Sequence, residues 1–205
     1  MQEPLADERL AFLDQAISEQ QAAMLRIMEE KLNNARQQLA DSHYTLAHLS
    51  VGDGIQLAAA SERVRDVEAS LQNSLAGGLL MAPAVLAAAS HASTALSGAY
   101  LTEGRVHDRQ SGPESAAARL SRQSHESAEY ALDRLKAAHR ALEQEAEAAF
   151  HKESQSIALC KLTGEISPGL LGSDPQVFAE MQGLAHLDAL RRQHLAEIEP
   201  SALAL

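Results

Sequence analysis

The sequence contains no tryptophan, and three tyrosines and three phenylalanines supply all of its aromatic side chains. Enzyme pockets and compact mixed folds usually contain more aromatic surface than this. β-Branched residues are also few and scattered, so no strand is predicted. Alanine and leucine dominate the apolar residues, and both favour helix. The composition therefore predicts an all-α protein.

Cysteine is almost absent too: Cys160 is the only one, so no intramolecular disulfide bond can form. This removes the usual evidence for a disulfide-stapled secreted fold, although it does not exclude export. The N-terminal sequence MQEPLADERL has neither a basic n-region nor an apolar h-region, so no Sec-type signal peptide is predicted. We expect synthesis in the cytoplasm, and leave open both export by a dedicated machine and packaging in an assembly.

Motifs of known active sites are missing as well. There is no Gly-x-Ser-x-Gly nucleophile elbow, no Gly-x-Gly-x-x-Gly loop and no Walker sequence. The nine histidines form neither a His-Glu-x-x-His motif nor the paired Glu-x-x-His pattern of di-iron bundles. We therefore expect no enzyme, no catalytic or metal-ligating residue, no cofactor and no small-molecule substrate. An all-α protein that binds a metal or cofactor through its histidines is one alternative.

The charge balance is acidic, with 17 basic and 28 acidic residues and a formal net charge of -11. Phosphate backbones attract cationic surfaces, so a nucleic-acid partner is not expected. The same balance argues against electrostatic docking to anionic lipid. Solubility is the simplest consequence of the negative charge.

Helix breakers divide the chain into segments. Two glycines around Asp53 predict a turn, and Pro113 suits the first position of a long helix. We predict a single helical domain over residues 1–205. Its segments are a coiled-coil-like helix (5–49), a helix that runs into an apolar segment (55–101), a loop (102–113), a long helix (113–162), a loop (163–175) and a C-terminal helix (176–199).

Apolar residues recur every seven positions in these helices, with companions three residues later, which is the a/d pattern of helices that pack side by side. The predicted fold is a set of long antiparallel helices that form a helical hairpin or coiled-coil-like bundle. The pattern leaves open whether the partner helix belongs to the same chain. The residues expected to mediate helix–helix association are Leu25, Met28, Leu32, Ala35, Leu39, Leu46, Leu49, Leu57, Val64, Leu71, Ala131, Leu135, Ala138 and Leu142.

An Ala/Gly-rich apolar segment, residues 74–101, lies in the middle of the chain and contains no Asp, Glu, Lys or Arg. It exceeds the roughly 20 residues that a bilayer-spanning helix needs, and its small residues also suit close packing between helices. Pro83 would kink or end a helix, and His91 would be costly in lipid. The residues assigned to a membrane or close-packing role are Gly77, Gly78, Pro83, Ala84, Ala88, His91, Ala92 and Tyr100.

These features favour a non-enzymatic helical protein that functions by assembly with itself or with another helical protein. A subunit of a larger secretion, injection or virion-type structure would have this character. The order of coiled-coil segment, small-residue apolar segment and amphipathic C-terminal helix is similar in layout to type III secretion translocators and phage ejection proteins. That resemblance implies an alternative, a protein that inserts conditionally into membranes through residues 74–101.

Overall fold

The structure is a computed structural model that describes residues 3–76, 82–107, 116–166 and 169–202. These residues form five α-helices and one 3₁₀ turn, and no strand occurs among them, which confirms the all-α prediction. The helices are α1 (Glu3–Ala47), α2 (Gly54–Ala76), α3 (Pro83–His107), α4 (Ala116–Thr163) and α5 (Pro175–Ala202), and the 3₁₀ turn spans Leu171–Ser173.

The middle of the chain differs from the predicted segments. Residues 55–101 were predicted to be a helix that runs into an apolar segment; in the structure α2 ends at Ala76 and α3 begins at Pro83. Proline suits the first position of a helix because the N–H that it lacks would have no partner there. α3 then continues to His107, so the first six residues of the predicted loop 102–113 are helical. Pro83 thus begins a helix instead of kinking one.

The chain folds into two compact units. Unit 1 comprises Met1–Asn33 and Lys152–Leu205, and unit 2 comprises Asn34–His151. Each of the long helices α1 and α4 contributes to both units, because the division falls within both helices. The single domain expected from the sequence stays a prediction.

Small residues bring α2 and α3 together in unit 2. Ala89, Ala92 and Ala99 on α3 are buried, as is the leucine and valine face of α2. Short side chains let the helix backbones approach closely, so serine hydroxyls can hydrogen bond between the helices. The Ser61 hydroxyl lies 2.8 Å from that of Ser97, and it also donates to the Ser93 carbonyl at 3.3 Å. These hydrogen bonds and the buried alanines of α3 lie between α2 and α3 within this chain.

Contacts between α1 and α4 form the other half of unit 2. The Lys136 ammonium donates to the Leu49 carbonyl at 2.7 Å, just after the end of α1. The Arg36 guanidinium donates to the Phe150 carbonyl at 3.3 Å and lies 5.5 Å from the centre of the Phe150 ring. The buried leucines on these parts of α1 and α4 include Leu39, Leu46, Leu135 and Leu142.

Unit 1 is organised around a buried carboxylate. Glu153 on α4 is buried and accepts hydrogen bonds from the backbone N–H groups of Leu170 at 2.7 Å and Leu171 at 3.2 Å. Gly169 has a positive φ of 42°, and a Cβ there would lie 2.8 Å from the Glu153 carboxylate oxygens. Glycine is therefore required at this position both for the backbone conformation and for the approach to the carboxylate.

A second carboxylate, that of Asp174, caps the N-terminus of α5. The Asp174 side chain accepts from the backbone N–H groups of Gln176 at 2.9 Å and Val177 at 3.2 Å, and from the Lys31 ammonium at 2.8 Å. Burial alone would raise the pKa of Asp174. The hydrogen bond from Lys31 and those from the two amides outweigh burial and hold the pKa below its usual value. Asp174 is thus both a helix cap and an ion-pair partner that joins α1 to α5.

We predict that Asp174→Ala lowers the free energy of unfolding by about 1–2 kcal/mol or more, because it removes the cap and the ion pair together. Asp174→Asn keeps a capping oxygen, so it should lower the free energy of unfolding by less. Because the folded pKa is lowered, the contribution of the Asp174 charge is present at neutral pH and is lost as the pH falls through that pKa. Urea unfolding followed by circular dichroism, at neutral and strongly acidic pH, measures both effects. Equal stability of the Ala variant and the wild type at neutral pH would contradict the assignment.

Candidate functional site

The residues predicted to mediate helix association lie inside their own units. All are buried except Leu25 and Ala138, which are half-buried. Leu25, Met28 and Leu32 belong to unit 1, and the others belong to unit 2. The heptad faces are therefore used within this chain, and their contribution to association with another chain stays a prediction.

The residues of the predicted membrane or close-packing segment do not share one environment. Gly77 and Gly78 lie outside the described residues. Within α3, Ala92 is buried and Ala88 is half-buried, whereas the exposed members are Pro83, Ala84, His91 and Tyr100. His91 is therefore not a core histidine. In the part of the chain that the structure describes, no helix has a stretch apolar and long enough to cross a bilayer.

Three ionisable side chains converge in unit 2 where α1 packs against α4. His43 comes from α1, and His139 and Glu143 come from successive turns of α4. The atoms through which they could bind a metal all lie within 4.8 Å of one another, the one such group of three among the described residues. Residues four apart share a helix face, so the pair on α4 was readable from the sequence. The third member was not, because His43 is distant in sequence.

Two members of this cluster, which we call the His43–His139–Glu143 cluster, already form a contact. His43 Nδ1 lies 2.8 Å from Glu143 Oε2, and the two side chains are 45% and 31% exposed. The rings of His43 and His139 are tilted by 44°, with centres 5.9 Å apart. The cluster therefore has a solvent-facing pair, His43 and Glu143, beside a deeper imidazole.

The deeper imidazole, His139, is 1% exposed. Neither of its ring nitrogens has a hydrogen-bond partner among the described residues. Burial first, and the nearby charge of His43 second, lower the pKa of His139 from 6.5 to about 4. A buried polar group without a partner costs about 1–3 kcal/mol. His139 is thus a neutral ring at neutral pH, with a nitrogen lone pair that no hydrogen bond uses.

A groove of about 550 Å³ adjoins the cluster through Glu143. Leu39, Ala40 and Phe150 give the groove its apolar surface, and Arg36 and Glu147 are among its charged residues. Glu143 belongs both to the groove and to the cluster. Solvent and small ions can therefore reach the cluster from this side of unit 2.

The aromatic side chains show a second unusual arrangement. All six lie in the described part of the chain, and Phe150 is the one that is buried. The other five are between 45% and 70% exposed: Phe12, Tyr44, Tyr100, Tyr130 and Phe178. Burial of aromatic rings normally contributes much of the hydrophobic energy of a core or an interface. The scarcity of aromatic residues is evident from the sequence, but the outward orientation of these five is not, because helix periodicity does not specify it.

Three exposed apolar residues lie at the start of α2 and near the end of α3. Ile55 is 88% exposed at the start of α2, and Tyr100 and Leu101 are exposed near the end of α3. A Cβ on the neighbouring Gly54 would lie 4.0 Å from the Tyr100 ring, which places the two helix ends in contact. We call Ile55, Tyr100 and Leu101 the apolar end patch.

Comparison of the chain with protein-family models, with curated proteins and with solved structures finds no match.

The unpaired imidazole gives a stability prediction for the metal-free protein in the presence of a chelator. The pKa of His139 is about 4 in the folded protein, and its ordinary value, expected in the unfolded chain, is 6.5. Between pH 4 and 6.5 the unfolded chain therefore binds more protons than the folded protein. Stability should therefore fall as the pH is lowered from 6.5 to 4, and His139 should contribute about 3 kcal/mol to that loss. His139→Leu should remove this contribution and raise stability at neutral pH by about 1 kcal/mol. Denaturant unfolding across this pH range measures both effects.

His91→Leu is the matched control, because it changes an exposed histidine in the same unit. Its pH profile of stability should match that of the wild type. A wild-type profile that persists unchanged in His139→Leu would show that His139 is not the buried titrating group.

Proposed function

We propose that this chain is a non-enzymatic helical protein that functions by association, and that its immediate partner is a second copy of itself. The observation that carries the proposal is the exposure of five of its six aromatic side chains. Tyrosine and phenylalanine are enriched at protein interfaces and depleted from ordinary surface. Most of the few aromatic side chains in this chain therefore lie on the surface, where another protein can cover them.

The helical framework in this proposal is an antiparallel hairpin arrangement of long helices. Contacts between α2 and α3 join Gly54 to Glu103 and Arg65 to Ser93, so residue number rises along one helix as it falls along the other. The contacts of α1 with α4 follow the same reversed order. α1 and α4 are long helices of 45 and 48 residues, and their polar outer faces are available for association.

The apolar end patch is the surface that we assign to the contact between copies. Ile55, Tyr100 and Leu101 are exposed, and the same residues are present on every copy. Two-fold dimers are the commonest protein oligomers, and their interfaces pair one patch with its own equivalent. A net charge of -11 opposes the approach of two copies, so added salt should strengthen the contact by screening. A subunit of a larger secretion, injection or virion-type assembly is the setting that we infer.

We predict that size-exclusion chromatography with light scattering gives about twice the chain mass of 21.9 kDa for the wild type, more completely at higher salt. The double variant Ile55→Ser with Leu101→Ser should dissociate the dimer. Removing two large apolar side chains from an interface weakens it by about 100-fold or more, since each contributes about 1.5–3 kcal/mol when buried.

Leu162→Ser is the matched control, because Leu162 is 85% exposed but lies on α4 in unit 1. It should leave the dimer intact. A wild type that stays monomeric at every protein and salt concentration would contradict the proposal. A dimer that tolerates the double variant would place the interface elsewhere and refute the assignment of the apolar end patch.

A further inference from the structure

His139 is a buried imidazole without a hydrogen-bond partner among the described residues, and two further groups that can donate electron pairs lie beside it. We propose that His43, His139 and Glu143 form a binding site for a divalent first-row transition-metal ion, with Zn²⁺ as the ion that fits them best. This site is independent of the association proposed above. It would join α1 to α4 within unit 2.

The donor atoms select the class of metal. Two imidazole nitrogens and one carboxylate oxygen are a ligand set that Zn²⁺ takes when three protein residues bind it. The same set also suits Fe²⁺ in sites with open positions. Ca²⁺ and Mg²⁺ prefer ligands that are all oxygen, so two histidines disfavour them. Imidazole ligation therefore points to a transition metal and away from the hard cations.

The spacing of the side chains is close to what coordination needs. Donor atoms about 2.0–2.2 Å from a tetrahedral Zn²⁺ lie about 3.3–3.6 Å from one another. In the cluster, His43 Nδ1 and Glu143 Oε2 are 2.8 Å apart, and all three residues offer atoms within 4.8 Å. His139 is held by burial, whereas His43 and Glu143 face solvent and can rotate. Side-chain adjustment of these two residues would bring the donor atoms closer to coordination spacing.

A metal ion also explains the buried ring better than packing alone. In the metal-free protein His139 is desolvated and gains no hydrogen bond in return. Coordination would use one of its nitrogen lone pairs, and burial already keeps the ring in the neutral form that binds metal. The Glu143 carboxylate would supply negative charge to the ion. Each member of the cluster thus has a role in the bound state that the metal-free contacts do not give it.

Three protein ligands leave at least one coordination position for water or a small ion. Glu143 lines the groove of about 550 Å³, so this position can be reached from solvent. We infer an ion that enters and leaves through the groove and that holds α1 and α4 together while it is bound. Such an ion stabilises unit 2, because it binds the folded arrangement and not the separated helices.

The test uses the full chain, purified without a tag and stripped with a chelator. Zn²⁺ is titrated by calorimetry and by native mass spectrometry, and Co²⁺ is added as a spectroscopic probe. We expect one equivalent of Zn²⁺, a Co²⁺ absorption spectrum typical of nitrogen and oxygen ligands, and a rise in melting temperature. His43→Gln and Glu143→Gln should each weaken binding at least about 100-fold, since even residues that only support metal ligands contribute about 10–100-fold.

Two control variants lie one turn or slightly more from the ligands. Glu147→Gln changes the next acidic residue on the same face of α4, and His48→Gln changes a histidine just after α1. Both should bind Zn²⁺ as the wild type does. His139→Leu should abolish binding if circular dichroism shows that it folds. If it does not fold, the variants of the two solvent-facing ligands decide the question.

The proposal is overturned if the stripped wild type takes up less than stoichiometric Zn²⁺. It is also overturned if His43→Gln and Glu143→Gln bind as tightly as the wild type, because the ion would then occupy other histidines. Chromatography of the same samples records the oligomeric state separately. A failure of metal binding can therefore be told apart from a failure of association.

Discussion

Packing of apolar helix faces against one another is the interaction on which the rest of this structure depends. In unit 2, Leu39 and Leu46 of α1 are buried together with Leu135 and Leu142 of α4. Long helices gain most of their stability from such faces, because isolated helices are only marginally stable in water. This packing fixes the rotation of α1 and α4 about their axes, and so determines which polar residues meet between them.

The buried ionisable groups Glu153, Asp174 and His139 differ in whether they have hydrogen-bond partners. In unit 1, Glu153 and Asp174 are buried, and each accepts hydrogen bonds from backbone amides. In unit 2, His139 is equally buried and has no such partner among the described residues. Natural proteins seldom leave a buried polar group unpaired, and exceptions often mark functional positions. This contrast is the physical basis for treating the His43–His139–Glu143 cluster as a ligand site and Glu153 and Asp174 as structural groups.

The two proposals depend on separate parts of the surface. Association rests on exposed apolar residues such as Ile55 and Leu101, whereas metal binding rests on His43 and the residues of α4 beside it. Neither requires a reactive pocket. The groove beside Glu143 gives a small ion access to the cluster, and its walls include both acidic and basic side chains. The chain thus combines a helical scaffold with one polar cluster of defined geometry.

The helical class and most of the buried faces could be predicted from the sequence, because helix periodicity is a local property that recurs along the chain. Leu32, Val64 and Leu135 are buried where the seven-residue pattern places apolar residues. Only the tertiary structure showed the start of α3 at Pro83, since a proline can either kink a helix or begin one. The contact between the His43 and His139 rings and the outward orientation of the aromatic rings are also visible only in the tertiary structure. Contacts between residues far apart in sequence depend on which helices pack together and at what rotation, and no local pattern encodes that choice.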